Sequence, residues 1–477
     1  MDLDFRRVPL TELADRVRRR QVSARDLVSH ALAQVEARNA TVNAFVAVDG
    51  DRALAAAAAL DEQLAGHEPE TTGLAAHGAL AGIPIAVKDL EDAEGFVTSR
   101  GSAAFAGGPP ATADSPLVAR LRAAGAIVIG KTNTPELGWM ADTSNPTFGR
   151  TANPWNLAHS PGGSSGGTAA AVASGMVPMG TGSDGGGSIR IPSSCCGLSG
   201  LKPSLGRVPS GGPQAPDWQN LSTKGVLARR MADVVAALEV VVGPEPTDLR
   251  SLPLPEASWS AALHDPAVPA VVVWAPTLGY APVDAEVRAR CEQALAILES
   301  LGAEVVEVEP VFEEDPVGEW LTLTMAYNLR TLAPFRGSDV WERIDPLLKV
   351  QVDWAAEEIT ALRLVQAEDA CHRLNVRLVE LFRRARLLVT PTCAGPPPPG
   401  ELRGQGLING AVDANWVRFT YPFNMTRSPA ASVCVGLTEA GLPVGLQLVG
   451  PQHADLVVMR AAAALEAAVG FDQLAPG

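Results

Sequence analysis

Three stretches of this sequence set chemically capable side chains among glycines. Residues 82–89 read Gly82-Ile83-Pro84-Ile85-Ala86-Val87-Lys88-Asp89, residues 161–167 read Pro161-Gly162-Gly163-Ser164-Ser165-Gly166-Gly167, and residues 182–192 read Gly182-Ser183-Asp184-Gly185-Gly186-Gly187-Ser188-Ile189-Arg190-Ile191-Pro192. A serine hydroxyl attacks a carbonyl only when another group takes its proton, and a lysine can be that group only when neutral. Taken singly, Lys88 reads as a strand-end lysine, the first Gly-rich loop as a flexible linker and the second as a tight turn.

Two further patterns compete for the chemistry. Gly125-Ala126-Ile127-Val128-Ile129-Gly130-Lys131-Thr132 satisfies the phosphate-loop pattern letter for letter. Such a loop needs a strand before its glycines and a helix beginning at the lysine. Here the residues between the glycines are themselves strand-like, so a strand followed by a turn is expected. Gly163-Ser164-Ser165-Gly166-Gly167 also fits a nucleophile elbow centred on Ser165. An elbow follows an apolar strand; residues 156–161 do not form one, and the downstream His264, His372 and His453 sit in no telling context.

The elements that must position these residues alternate between strand and helix, which argues α/β architecture. Residues 10–38 read as two helices, with Ser23 and Asp26 resembling a capping box at the start of the second. A helix over 51–64, a strand over 83–88, a helix over 116–124 and a strand over 126–129 follow. The Gly- and Ser-rich middle, 160–201, surrounds one Ala-rich helix at 168–174. Beyond it come a strand at 271–274, a helix at 284–300 and a strand at 304–308. Helices dominate 319–385, and strands at 387–389, 431–435 and 444–448 lead to a closing helix at 456–468. No internal repeat or long polar linker divides the chain, so one large domain over 1–477 is expected, with an N-terminal helical segment over about 1–70.

Composition narrows the function classes. The net charge of −15 and the absence of a Lys/Arg cluster beyond Arg18-Arg19-Arg20 speak against a nucleic-acid or anionic-membrane partner. Residues 151–183 contain no charged side chain, but their Gly, Pro, Ser and Asn exclude a membrane span. The charged start of the chain, without an apolar signal region, predicts a cytoplasmic protein. The cysteines, among them Cys195 and Cys196, show no metal-ligand spacing and are expected to be reduced structural thiols.

Together, the three glycine-flanked stretches resemble the amidase signature family of Ser-Ser-Lys amidohydrolases. The match covers about 80–204, including Cys196-Gly197-Leu198-Ser199-Gly200-Leu201-Lys202-Pro203, and resumes at 429–430 and 441–451. Ser188 follows Ser164 by 24 positions, as the family pattern requires. The resemblance implies a large twisted mixed sheet flanked by helices on both faces. It implies Ser188 as nucleophile, Ser164 as a bridging serine with a cis peptide bond, and Lys88 as general base. Ser164 would hydrogen-bond both Lys88 and Ser188. Gly185, Gly186, Gly187 and Ser188 would form the oxyanion hole, because backbone free of side chains can turn N–H groups toward a developing negative charge. Asp184 and Arg190 would hold this loop or form a plain ion pair. Ser183 stands where the family often has Thr, and Gly185 where its residue varies; both departures are mild.

No metal or organic cofactor is needed for acylation of Ser188 and hydrolysis of the acyl-enzyme. Trp139, Met140 and Trp155, with Phe148, and a second cluster of Trp416, Phe419, Tyr421 and Phe423 are candidates to line an apolar substrate cleft. Small apolar or aromatic amides, anilides, esters and carbamates (urethanes) are the expected substrates, and a homodimer stays open. The alternative is a glutaminase subunit of a tRNA-dependent amidotransferase.

Overall fold

The computed structural model describes residues 2–66 and 78–476. Its frame is an eleven-stranded mixed sheet. The strands are β1 (Phe45–Val48), β2 (Pro84–Lys88), β3 (Ile127–Thr132), β4 (Met179–Asp184), β5 (Ser199–Lys202), β6 (Thr223–Ala228), β7 (Val271–Trp274), β8 (Glu304–Glu307), β9 (Leu387–Pro391), β10 (Ala430–Leu437) and β11 (Pro443–Val449). Their spatial order is β1-β3-β2-β4-β6-β5-β10-β11-β9-β7-β8. β2 runs parallel to β3 and β4, whereas β4 is antiparallel to β6 and β10 is antiparallel to β5 and β11.

Around the sheet lie α1 (Leu10–Arg18), α2 (Ala24–Val42), α3 (Gly50–Ala65), α4 (Pro116–Ala123), α5 (Gly166–Ala173), α6 (Arg190–Cys196), α7 (Met231–Glu239), α8 (Ala285–Ser300), α9 (Val317–Leu332), α10 (Pro346–Glu358), α11 (Ala361–Phe382) and α12 (Asp455–Val469). The expected capping box is formed at α2: Ser23 Oγ accepts from Asp26 N at 2.9 Å and Asp26 accepts from Ser23 N at 3.1 Å. The N-terminal helical segment expected to reach residue 70 is described as far as Gly66, and residues 67–70 lie outside the described part. Among the described residues no helix is long and apolar enough to cross a membrane. All six cysteines are free.

The Gly-rich middle holds more regular structure than its composition announces. Besides α5 it contains β4 and α6, and all eight residues of α5 are buried. A helix made of Gly, Ala, Thr and Val is narrow enough to sit inside the protein with neighbours on every side. A Cβ on Gly167 would come 2.5 Å from Asn133 N, so the packing of this helix requires glycine there. Glycine and serine give β4 little strand propensity of its own; it exists because it pairs with β2 and β6 in the middle of the sheet. The phosphate-loop letters lie on a strand, but the turn expected after residue 129 is not formed: pairing with β1 and β2 carries β3 on through Gly130, Lys131 and Thr132. Lys131 is fully buried, ion-paired with Asp89 at 3.1 Å.

Candidate active site

β2 is buried along its whole length and ends at Lys88. The Lys88 backbone N–H donates to Thr181 Oγ1 of β4 at 2.8 Å, which registers the strand end against its neighbour. The side chain is fully buried, and its Nζ reaches Ser164 Oγ at 2.7 Å and Ser183 Oγ at 3.1 Å. Burial, reinforced by the Lys224 ammonium and opposed by Glu91 and Asp184, holds the Lys88 amine well below the ordinary lysine range. The reason is desolvation: among the described residues no carboxylate makes a direct ion pair with Nζ, so the charged form is the costly one. Lys224 is itself ion-paired with Glu91.

Ser164 follows a cis peptide bond from Gly163. Its loop is fastened from beneath by a polar network on residues 142–143. Thr143 Oγ1 donates to Gly162 O at 2.9 Å and accepts from Gly166 N at 3.1 Å, while Asp142 accepts from Ser160 Oγ at 2.6 Å. Gly138, at a φ of +72°, lets a neighbouring turn pass close over Ser164: a Cβ there would lie 3.1 Å from Ser164 Oγ. Ser165, the centre of the elbow pattern, starts α5 with a buried hydroxyl that has no hydrogen-bond partner among the described residues.

The loop between β4 and α6 is organised by Asp184. Its carboxylate accepts from Gly187 N at 2.7 Å and Ile189 N at 3.2 Å, and pairs with the Arg190 guanidinium at 2.8 Å. Both side chains are fully buried. Arg190, with further hydrogen-bond partners and the charge of Lys202 nearby, keeps the Asp184 carboxyl well below the usual carboxylate range despite its burial. Arg190 also donates to Thr420 O at 2.9 Å, Gln447 Oε1 at 2.6 Å and Asn424 Oδ1 at 2.7 Å. This buried ion pair therefore also serves as the brace of the loop.

The N–H of Gly187 is committed to Asp184. The N–H groups of Gly185, Gly186 and Ser188 receive no acceptor from the described residues. Ser188 is half-buried and makes no side-chain hydrogen bond among the described residues, so the expected Ser164–Ser188 hydrogen bond is not formed in this structure.

Ser164, Ser183, Gly185 and Ser188 share a cleft of about 650 Å³. Its walls include Leu137, Phe105, Trp218 and Asn328, with Arg100 and Asp217 farther along. Asp217 pairs with Arg100 at 3.2 Å and also with Arg330, joining three separate segments. Trp139, Met140 and Trp155 are not among the lining residues. Trp139 packs with Leu332, Ile344 and Leu348, and the Met140 carbonyl lies under Gly163. Trp155 donates its indole N–H to Cys196 O at 2.8 Å and packs its ring on Phe471. Trp416, Phe419, Tyr421 and Phe423 are core side chains. The aromatic side chains that the cleft does present, Phe105 and Trp218, lie outside both clusters picked from the sequence; the only local signal for Trp218 is a bulky residue directly after the Pro- and Gly-rich stretch 209–217.

The family model described as Amidase matches residues 26–459. An acylamidase of Rhodococcus erythropolis is 35% identical over 468 residues, covering 96% of this chain and 94% of its own. One glutamyl-tRNA(Gln) amidotransferase component, from Geotalea daltonii, is 32% identical, with 95% and 96% covered. Among solved structures, a bacterial aryl acylamidase superposes with a TM-score of 0.89 at 30% identity, over 97% of this chain and 96% of that one.

Proposed function

The chain belongs to the amidase signature family, whose members hydrolyse carbon–nitrogen bonds other than peptide bonds, and from that premise we propose that it cleaves small apolar or aromatic amides and anilides through a Ser188 acyl-enzyme. Aryl carbamates and esters present the same carbonyl and fall within the same reading. The observation that carries it is the 2.7 Å contact between a fully buried Lys88 amine and Ser164 Oγ, in the cleft that Ser188 also lines.

The roles follow from protonation. A neutral Lys88 has a lone pair, so Ser164 can pass its proton to Nζ while taking one from Ser188 Oγ as that oxygen bonds the substrate carbonyl carbon. The carbonyl π electrons move onto oxygen, where the unpaired N–H groups of Gly185, Gly186 and Ser188 are the donors on hand. When the C–N bond breaks, the proton on Lys88 returns through Ser164 to the departing amine. Water then adds to the acyl-enzyme with the same relay as base, releasing the acid and restoring Ser188. Trp218 and Leu137 supply apolar surface for an aryl or alkyl acyl group, in line with the acylamidase relatives.

Hydrolysis of a matched set tests this reading: a p-nitroanilide, a primary aryl amide, an ester and an aryl carbamate sharing one apolar acyl side. Wild type should turn over members of the set, and Lys88→Ala and Ser188→Ala should each lose at least a hundredfold. Fluorophosphonate labelling should vanish in Ser188→Ala and persist in Ser165→Ala. If wild type hydrolyses none of the set but releases ammonia from glutamine when a partner protein is added, the amidotransferase reading replaces this one.

A further inference from the structure

Two carbonyls of the glycine loop, those of Gly185 and Gly186, are each held by a side chain from a distant element, whereas Gly187 O accepts from Ile191 N at 2.7 Å. Trp320, in the first turn of α9, donates its indole N–H to Gly185 O at 2.9 Å. Thr420 Oγ1 donates to Gly186 O at 2.5 Å. A trans peptide unit is planar, with its C=O and N–H pointing to opposite sides. Fixing Gly185 O on the indole therefore turns the Gly186 N–H away from Trp320, and that N–H is one of those without an acceptor. The residues on either side of Gly186–Gly187, namely Gly185 and Ser188, both line the cleft.

The indole is held in place by more than this contact. Its ring stacks on Tyr421, with centroids 5.2 Å apart and planes at 23°, and meets the edge of Trp218 at 6.0 Å and 85°. The Tyr421 hydroxyl donates to Asp315, and Asp315 accepts from Val317 N at 3.1 Å, so the tyrosine is tied to the start of the helix that carries Trp320. A Cβ on Gly186 would overlap the Trp320 ring, so loop and indole are fitted to each other. The half-buried indole keeps its N–H on a protein acceptor, and that acceptor is the Gly185–Gly186 peptide.

We propose that Trp320 is a positioning residue for amide hydrolysis: its indole N–H sets the Gly185–Gly186 peptide plane and so aims the Gly186 N–H at the oxygen of the tetrahedral intermediate. This rests on the acyl-enzyme reading above and adds to it a residue 132 positions beyond Ser188, outside every glycine-flanked motif.

Trp320→Phe keeps a ring against Tyr421 and removes the donor. Because the aimed N–H acts mainly on the charged intermediate, kcat should fall about fivefold to tenfold with KM within about twofold. Affinity for an arylboronic acid, which mimics the tetrahedral adduct on Ser188, should fall by the same factor, and affinity for the product aryl carboxylate should not change. Thermal melting monitors folding. Should the Phe variant fail to fold, benzothienylalanine at position 320, which replaces the N–H by sulfur at nearly constant shape, should give the same selective loss. An active wild type whose substituted form keeps kcat and boronate affinity within twofold overturns this proposal alone, as does a loss spread equally over boronate and carboxylate binding. A wild type inactive on every amide overturns the parent reading and this one with it.

Discussion

Replacing Lys88 by Met separates the chemistry of the buried amine from its energetic cost. Met keeps an unbranched stem in the site and carries no charge. In the folded protein the Lys88 amine is held well below the ordinary range by burial and by Lys224, so the unfolded chain binds this proton at a higher pH than the folded chain does. Between the folded and unfolded pKa values the unfolded state carries more protons, and wild-type stability rises with pH there. The penalty is complete below the folded pKa and disappears as pH climbs through the unfolded value of about 10.4, with a slope of about 1.4 kcal/mol per pH unit. Met has no such penalty. It forfeits the contacts to Ser164 and Ser183, at about 1 kcal/mol each and with no pH dependence. Relative to wild type, Lys88→Met should therefore gain stability as pH falls from about 10.4, along that slope, until the folded pKa is reached. Urea unfolding followed by the fluorescence of the nine tryptophans, at half-unit steps from pH 7 to 10.5, measures the difference. Lys131 and Lys202, also pushed down by burial, are common to both proteins and cancel. Hydrolysis should be reduced at least a hundredfold by the same substitution. A stability difference that stays flat from pH 8 to 10.5, or one that slopes the other way, refutes the claim that burial keeps this lysine neutral.

Arg190→Met leaves the Asp184 carboxylate buried without its counter-charge, and should cost about 3–5 kcal/mol in urea unfolding at neutral pH. Asp184 has a depressed folded pKa in wild type, so its contribution is present above the unfolded value of about 3.9 and is lost as pH falls through the folded one; the gap between variant and wild type should narrow in acid. Trp218→Ala enlarges the cleft beside Gly185 and should shift the kcat/KM ratio toward bulkier acyl groups by about tenfold, read from paired anilides differing in one ring. An unchanged ratio would remove Trp218 from the acyl-binding wall.

Much of the architecture was readable because its causes are local. The apolar run before Lys88, the strand Val271–Trp274 and the helix Ala285–Ser300, capped by Asp284 where its side chain accepts from Glu286 N at 3.0 Å, are set by side-chain pattern and nearby caps. The three glycine-flanked stretches and the spacing of Ser164 and Ser188 likewise lie in the order of residues. β4 and α6 were hidden because a Gly- and Ser-rich segment takes its conformation from the strands beside it. The aromatic residues chosen for their nearness in sequence went elsewhere: Trp155 to the Cys196 carbonyl, Trp139 to a helical cluster, Phe419 and Phe423 to the core.

Residue order by itself carried the resemblance to the amidase signature family, and with it the reaction class, because the three glycine-flanked stretches and their spacing are features of the sequence alone. Tertiary structure decided the surroundings in which they sit. Burial of Lys88 between β3 and β4 and the charge of Lys224 push its amine well below the ordinary lysine range, and neither is visible from a lysine at the end of an apolar run. The brace on Asp184 draws on Asn424 and Gln447 through Arg190, and the cleft takes its aromatic side chains from Phe105 and Trp218. Protonation depends on dielectric surroundings, and loop direction depends on acceptors fixed elsewhere. Both arise only when segments hundreds of residues apart in the chain share one interior.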